Sequence, residues 1–189
     1  MHKLCFIGLG NPGSKYDNTR HNIGKDWLVK LSESYCDNFV KKSKLEAEIT
    51  QSRSDEILWI IPDNYVNNSG KTISKVIKNI NMPKNKMIIL HDDLDLNPGE
   101  VRLKEGGGHG GHNGLRDIES SLNTTEYNRL RVGISNEFKK GQQSNFVLSK
   151  FSDEELLKLT ELKETVNELI ISFVMSGISI TMNTYNLKN

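Results

Sequence analysis

The chain has 189 residues, of which 35% are hydrophobic and 26% are charged, and its formal net charge is +1. This length suits one globular domain spanning residues 1–189, and the composition is not that of a disordered chain. The small net charge excludes a strong overall attraction to polyanions, so a nucleic acid would have to bind through a local basic patch.

Cysteine usage and the absence of a targeting pattern predict a cytoplasmic protein. Cys5 and Cys36 form neither a disulfide framework nor a zinc motif, which is typical of a reducing compartment. Residues 1–13 turn to glycine and Asn-Pro too early for the core of a signal peptide. The apolar run over 169–182 is too short, and too interrupted by serine and glycine, to span a bilayer about 30 Å thick.

Hydrophobic spacing predicts strands and helices in alternation along the first half of the chain. Residues 4–7 form an apolar run typical of a buried strand. Apolar residues then recur at helical spacing from Ile23, with Thr19 as a candidate N-cap. Residues 45–61 indicate two strands joined by a turn at 53–55, and the second strand is continuously apolar, as expected of a central strand.

The second half continues this alternation and ends in a long helix. The predicted elements are a helix over 73–80, a buried strand over 87–90, a half-exposed strand over 101–104, a short helix over 115–122 and a strand over 127–134. A polar loop is predicted over 135–149. A capping box at 152–155 opens the longest helix, and Gly177 ends it. Its inward face is predicted to comprise Leu156, Leu159, Leu162, Val166, Leu169 and Phe173. The alternation indicates one α/β domain with a mixed central sheet.

Residues 8–13 read Gly-Leu-Gly-Asn-Pro-Gly and match the dinucleotide-binding pattern GxGxxG after a strand. That pattern requires a helix that opens within the glycines, so that its N-terminus faces a pyrophosphate. Here Pro12 and a polar run follow, and helical spacing begins only at Ile23. We therefore interpret the segment as a tight turn at the end of a strand.

The glycine-rich segment over 106–114 is predicted to be functional. Its six glycines in nine residues cost considerable backbone entropy, which a simple connection would not require. Glycines allow the backbone to approach a ligand closely, and a helix that follows would add its positive end. The alternative interpretation is a mobile linker.

His91, Asp92 and Asp93 end a predicted central strand, where ligands collect in open α/β sheets. A carboxylate at this place can orient a histidine. A metal site that also used Asp95, His109 and His112 is an alternative, although the spacing matches no known metal motif. The chain has no GxSxG nucleophile motif and no activated cysteine pattern, so an enzyme would activate water.

Cations are concentrated between positions 102 and 140. The set comprises Arg102, Lys104, Arg116, Arg129, Arg131, Lys139 and Lys140. Period-two spacing places Arg129 and Arg131 on one strand face, and likewise Arg102 and Lys104. Cations around a glycine-rich helix start would form a phosphate-binding surface, although ordinary solvated charge is the alternative.

Taken in order, several segments resemble the bacterial peptidyl-tRNA hydrolases. The matching segments are 8–13, Tyr16, 19–24, Pro62, Tyr65, Asn67, 69–70, 91–96, 106–118, 129–134 and 145–148. The resemblance runs from residue 4 to about 151. It departs from the family pattern at Val66, where methionine is usual, at Asn68, and over 135–140.

The resemblance implies a fold, a reaction and a set of site residues. The fold is a twisted mixed sheet flanked by helices, and the reaction is hydrolysis of the ester that joins a peptide to tRNA, without a metal or cofactor. The implied roles are His21 as the catalytic histidine, Asp92 as the carboxylate that orients it, Asn11, Asn67 and Asn113 as holders of the substrate or the attacking water, Tyr16 near the terminal nucleotide, and Lys104 and Arg131 in contact with tRNA.

We expect a monomer that needs no membrane and no obligate protein partner. Water activated by His21 could suffice for an ester, and an asparagine amide could stabilise the oxyanion. Two alternatives stay open at this point. One is a non-catalytic RNA-binding protein on the same fold, and the other is a metal-dependent hydrolase that uses the cluster between His91 and His112.

Overall fold

The computed structural model describes residues 4–53 and 56–186, and it contains a seven-stranded mixed sheet with helices on both faces. The strands are β1 (Leu4–Gly8), β2 (Val40–Lys42), β3 (Ala47–Gln51), β4 (Ile57–Pro62), β5 (Met87–Asp93), β6 (Val101–Glu105) and β7 (Asn128–Gly133). The helices are α1 (Ile23–Ser32), α2 (Ser69–Asn79), α3 (Asn113–Leu122), α4 (Gln143–Val147), α5 (Asp153–Ser176) and α6 (Ile178–Tyr185). The predicted α/β class with a mixed sheet is confirmed.

The strand order β2-β3-β4-β1-β5-β7-β6 places a parallel block in the middle of the sheet. β4, β1, β5 and β7 are parallel neighbours, while β2, β3 and β6 pair antiparallel at the two sides. Because the carboxyl ends of parallel strands meet at one edge, the loops that leave β1, β4 and β5 lie together there.

Side chains that alternate along the central strands form two separate core layers. Phe6 and Leu90 belong to the layer that includes Leu28 of α1 and Phe173 of α5. Their neighbours along the strands, such as Ile7 and Ile89, pack in the opposite layer with residues of α2 and α3. The period of two thus buries both faces of the sheet, which accounts for the continuous apolar runs in β1, β4 and β5.

Helix α1 lies unusually close to the sheet because two glycines permit it. A Cβ atom at Gly24 would lie 2.2 Å from the carbonyl oxygen of Leu90, and one at Gly8 would lie 2.7 Å from Leu28 Cβ. The helix starts at Ile23, well after the glycines of 8–13, as the interpretation of that segment as a turn requires. Glycine at position 8 therefore serves helix packing.

Several local predictions were wrong. Thr19 does not cap α1, since its hydroxyl donates to the Tyr16 carbonyl and a 3₁₀ turn (Arg20–Asn22) intervenes. The polar loop over 135–149 contains α4, and neither β2 nor α6 was predicted. Leu156 is 44% exposed and does not face inward, although the other predicted inward residues of α5 are buried or partly buried.

Predictions about where α5 begins and ends are confirmed, and the outcome differs for a strand end and a turn. The capping box at Ser152 and Glu155 is confirmed, and so is Gly177 as the end of α5. β5 continues through Asp93, so residues 91–93 belong to the strand. Part of the predicted turn at 53–55 lies outside the described residues. No helix within 4–53 and 56–186 has the length and apolar content that a membrane crossing requires.

Candidate active site

Hydrogen bonds join the loops that follow β1 and β4. The Asn22 side chain is fully buried, accepts from Asn11 N at 2.8 Å and donates to Asn11 O at 3.0 Å. Asn11 Oδ1 in turn accepts a hydrogen bond from Val66 N at 2.9 Å. The turn that carries Asn67 is therefore held through Asn11 to the residue that follows His21. Asn22 is a positioning residue that the sequence reasoning did not single out.

The turn at Val66 also packs against the start of α3. A Cβ atom at Gly114 would lie 2.6 Å from Val66 Cγ1, and the Gly70 amide donates to Asp117 Oδ2 at 2.7 Å. The segments that carry Asn67 and Asn113 are thus in direct contact through their neighbours. Val66, which departs from the family pattern, is buried and contributes packing here.

His21 and Asp92 form the central pair of the site. His21 Nδ1 lies 2.9 Å from Asp92 Oδ1 and 3.0 Å from Oδ2. The carboxylate is 3% exposed and the imidazole 14% exposed. An ionised carboxylate can only accept, so Nδ1 carries the proton and the lone pair of the neutral ring is at Nε2. That arrangement prepares the ring to take a proton.

The charges of this pair perturb both groups. Burial lowers the pKa of His21, but the charge and hydrogen bond of Asp92 outweigh it, so the pKa lies above the ordinary 6.5. Burial raises the pKa of Asp92, but His21 and His112 together hold it well below its usual range. Asp92 is therefore ionised at neutral pH, and His21 binds a proton more readily than a free imidazole does.

His112 is a third member of this cluster, and it was predicted only within the metal alternative. Its Nε2 lies 2.9 Å from Asp92 Oδ1, and its ring centroid lies 5.0 Å from that of His21. Its Nδ1 accepts from the amides of Gly114 and Leu115 and so caps α3. No sequence signal marked this role, because the predicted helix began only at residue 115 and histidine is not one of the usual N-cap residues, whereas α3 begins directly after His112.

The metal alternative is not favoured by this geometry. One potential ligand atom each of His21, Asp92 and His112 lie within 4.8 Å of one another. However, the two helix amides occupy the Nδ1 lone pair of His112, so Nε2 carries the proton and offers no lone pair to an ion. Asp95, which the alternative required, has an 81% exposed side chain and lies near Arg131.

A cleft extends from this cluster towards basic residues. Its lining includes His21, Asp92, His112, Asn113, the glycine-rich segment 108–111, Lys104, Arg129 and Arg131. Opposed pairs in the register, Arg102 with Arg131 and Lys104 with Arg129, show that these four share one face of β6 and β7. The predicted grouping of cations on the strand faces is therefore confirmed.

The cations of the cleft differ in what they contact. Arg129 is buried and donates to the carbonyls of Gly106, Gly107 and Gly108, so it fixes the glycine-rich segment. Arg131 Nε donates to Asp93 Oδ2 at 2.6 Å, so much of its charge is already compensated. The side chain of Lys104 is exposed, and it forms no ion pair within the described part of the chain.

The remaining predicted residues lie around this cleft. Asn113 is exposed at the first position of α3, and Asn67 is exposed in the 3₁₀ turn after β4. Tyr16 packs edge-on against the exposed Tyr65, with ring centroids 6.0 Å apart. Asn113 lines the cleft, whereas Asn11, Tyr16 and Asn67 do not. The structure thus brings together His21, Asp92, Asn113, Lys104 and Arg131, and links the others through the neighbouring loops.

Known proteins share this sequence and architecture over nearly the full length. The sequence profile of the peptidyl-tRNA hydrolase family matches residues 5–189. The peptidyl-tRNA hydrolase of Parabacteroides distasonis is 40% identical over 186 residues, which cover 98% of this chain and 100% of that protein. That of Phocaeicola vulgatus is 42% identical over 188 residues, with coverage of 98% and 100%.

Solved structures agree with this result. The peptidyl-tRNA hydrolase of Acinetobacter baumannii superposes with a TM-score of 0.91 at 32% identity, covering 99% of this chain and 97% of that chain. Fold and sequence thus match the same family along the same residues. The chain belongs to the peptidyl-tRNA hydrolase family.

Proposed function

We propose that this chain hydrolyses the ester bond between peptide and tRNA in peptidyl-tRNA, with His21 as the general base. Family membership supports the reaction. The observation that carries the mechanism is the contact between His21 Nδ1 and the buried Asp92 carboxylate, which leaves Nε2 as the basic atom in a cleft that also contains cations. An ester is reactive enough for a positioned base and water to suffice.

In the proposed step, His21 Nε2 takes a proton from a water molecule whose oxygen attacks the ester carbonyl. The tetrahedral intermediate then collapses, the bond between the carbonyl carbon and the ribose oxygen breaks, and His21 returns the proton to that oxygen. Asp92 stabilises the intervening imidazolium. A positioned base of this kind contributes about 10²–10⁴-fold in rate.

The developing oxyanion needs a neutral donor, and an asparagine side-chain amide supplies one. Asn113 is the better placed candidate because it lines the cleft beside His112, while Asn67 lies in the turn that packs against Gly114. One such donor stabilises the transition state by about 2.7–4 kcal/mol. We assign to Asn11 the role of holding the Asn67 turn, since its side-chain oxygen accepts from Val66 N.

The tRNA is proposed to enter from the basic end of the cleft. Lys104 and Arg131 would meet phosphates, and Tyr16 would stack against the terminal nucleotide beside Tyr65. We further propose a cytoplasmic monomer with one domain over 1–189 and with neither a cofactor nor an obligate protein partner. Two buried free cysteines, Cys5 and Cys36, support a reducing compartment.

Release of peptide from a synthetic N-blocked aminoacyl-tRNA tests this function. We expect hydrolysis by the wild type and a loss of about 10²–10⁴-fold in kcat for Asp92→Asn, because the neutral amide cannot fix the Nδ1–H tautomer. Asp26→Asn is the matched control. Burial raises the pKa of Asp26 to about 6, but this carboxyl lies on α1 and does not line the cleft.

Binding of the same tRNA without hydrolysis by the wild type would instead support the non-catalytic RNA-binding alternative. Equal losses of kcat in Asp92→Asn and Asp26→Asn would show that Asp92 has no specific role in the reaction.

A further inference from the structure

The side chain of His112 links the N-terminus of α3 to the carboxylate of Asp92. One ring nitrogen, Nδ1, accepts from Gly114 N at 3.1 Å and Leu115 N at 3.2 Å. The other, Nε2, lies 2.9 Å from Asp92 Oδ1. The side chain is only 9% exposed. Both ring nitrogens are therefore engaged, one by the first turn of α3 and one by the carboxylate that also holds His21.

These partners fix the tautomer of His112. Backbone amides can only donate, so Nδ1 must accept, and the proton of the neutral ring is then at Nε2, where it is donated to Asp92. Protonation of Nδ1 would break both amide contacts and place a cation at the positive end of α3. Both ring nitrogens of His112 are thus occupied, Nδ1 as an acceptor and Nε2 as a donor, so His112 has no free lone pair with which to replace His21 as the base.

Asp92 consequently accepts from two imidazoles of opposite tautomer. His21 donates from Nδ1 to both carboxylate oxygens, and His112 donates from Nε2 to Oδ1. Each hydrogen bond to the ionised carboxylate stabilises it and weakens its attraction for a proton on the other imidazole. The donor from His112 thus acts on His21 through the shared carboxylate.

We propose that His112 is a positioning residue for the hydrolysis, which aligns Asp92 from the N-terminus of α3 and keeps His21 an unprotonated base. This inference rests on the proposed role of His21. It assigns the glycine-rich segment a role besides phosphate contact, because that segment leads directly into the cap and so determines where the donor to Asp92 is placed.

Other charged and titratable groups around the pair do not supply this donor. His91 packs against His112 with ring centroids 5.2 Å apart, and burial together with the nearby His112 holds its pKa well below the ordinary value. Its Nδ1 lies 2.7 Å from its neighbour's carbonyl, Asp92 O. Asp93 is paired with Arg131, and His109 Nδ1 accepts from Gly111 N.

Three substitutions separate the two functions of the ring. Asn can place an acceptor where Nδ1 is and so keeps the cap, but it is too short to reach Asp92. Gln can place a donor near the Nε2 position but is a poor cap. Ala removes both. The variants are therefore H112N, H112Q and H112A, each assayed on N-blocked aminoacyl-tRNA across pH, with thermal unfolding as the check on folding.

We expect the acid-side midpoint of kcat/KM to shift upward by about one unit in H112N and H112A, because Asp92 then acts on His21 alone. Below that midpoint the shift amounts to about a tenfold loss of activity at fixed pH. H112Q should keep the wild-type midpoint while it unfolds at a lower temperature. An unmoved midpoint in H112N, with all three variants slowed equally at every pH, would overturn the proposal.

NMR titration of the His21 ring in the same variants provides a readout that does not depend on hydrolysis. The same upward shift is expected for H112N in the free protein, and nitrogen shifts should report Nδ1–H at His21 and Nε2–H at His112. Opposite tautomers would overturn the proposal. If the tautomers and shifts are as expected but neither the wild type nor any variant cleaves the ester, the proposed function fails, while the coupling of His112 to His21 through Asp92 stands.

Discussion

The two ends of the cleft are built on different principles. At the His21 end, the groups are buried, and each contact depends on a partner within about 3 Å, as between His21 Nδ1 and Asp92 Oδ1 at 2.9 Å. At the other end, Lys104 is exposed and Arg131 is already paired with Asp93. The His21 end of the cleft therefore works through the orientation of its side chains, whereas the end with Lys104 and Arg131 works through their charge.

This difference indicates how chemistry and recognition are separated along one surface. Buried hydrogen bonds to a charged group are sensitive to a single lost partner and insensitive to salt. An exposed cation can attract a phosphate from several positions, so its exact placement matters less, but dissolved salt screens the attraction. Substitutions at the first end should therefore change kcat, and those at the second should change KM and its salt dependence.

The largest expected effect comes from His21→Ala. Loss of the base should lower kcat by about 10²–10⁴-fold and leave KM and tRNA binding nearly unchanged. The measurement is single-turnover peptide release together with a tRNA-binding titration. His109→Ala is the matched control, because His109 lines the same cleft but contacts Gly111 and not Asp92. If His21→Ala turned over substrate nearly as fast as the wild type, His21 could not be the general base.

The next effect is the pH dependence of the wild type. Asp92 raises the pKa of His21 above the ordinary 6.5, and only the unprotonated ring is a base, so activity should fall as the pH decreases through a midpoint above 6.5. Each further unit of pH below the midpoint should cost about tenfold in kcat/KM. A profile that stays flat down to pH 5 would contradict the assignment, since His21 would then be charged and still active.

The smallest effect separates the two cations of the recognition end. Lys104→Ala should raise KM. It should also reduce the slope of log affinity against log salt concentration by about one, so that affinity falls about fourfold less than in the wild type when salt rises from roughly 50 to 200 mM. Arg131→Ala should reduce the slope less, because Asp93 already compensates that charge. Lys30→Ala on α1 is the control, and a slope change as large as that of Lys104→Ala would show that net charge alone acts.

Much of the fold follows from hydrophobic spacing, because buried strands and amphipathic helices carry distinct periods. Two of the elements that spacing missed, β2 and α4, have no such period. β2 is a three-residue, fully exposed edge strand, and α4 has only five residues, none of them buried. Leu156 fits the inward stripe of α5 but is exposed, because a stripe indicates which side faces the core and not where along the helix the core begins.

The candidate site could be predicted only in part from the residues themselves. Placement of Asp92 at the carboxyl end of a central strand followed from the strand pattern, but its pairing with His21, 71 positions earlier, required the family resemblance. The cap formed by His112 depends on backbone geometry at the start of α3. Compensation of Arg131 depends on the register that pairs it with His91, so that Asp93, two residues further along β5, comes within reach of its side chain, which a sequence pattern does not show.

The absence of a side chain at Gly24 has a consequence for engineering this enzyme. Replacing glycine by alanine within a helix is a common stabilising strategy, worth about 0.5–1 kcal/mol where the space is open. At Gly24 the added methyl group would collide with the Leu90 carbonyl, two residues before Asp92, and would force α1 off the strand. Because His21 lies in the turn that leads into α1, a routine thermostabilising change would separate the imidazole from its carboxylate without altering either one.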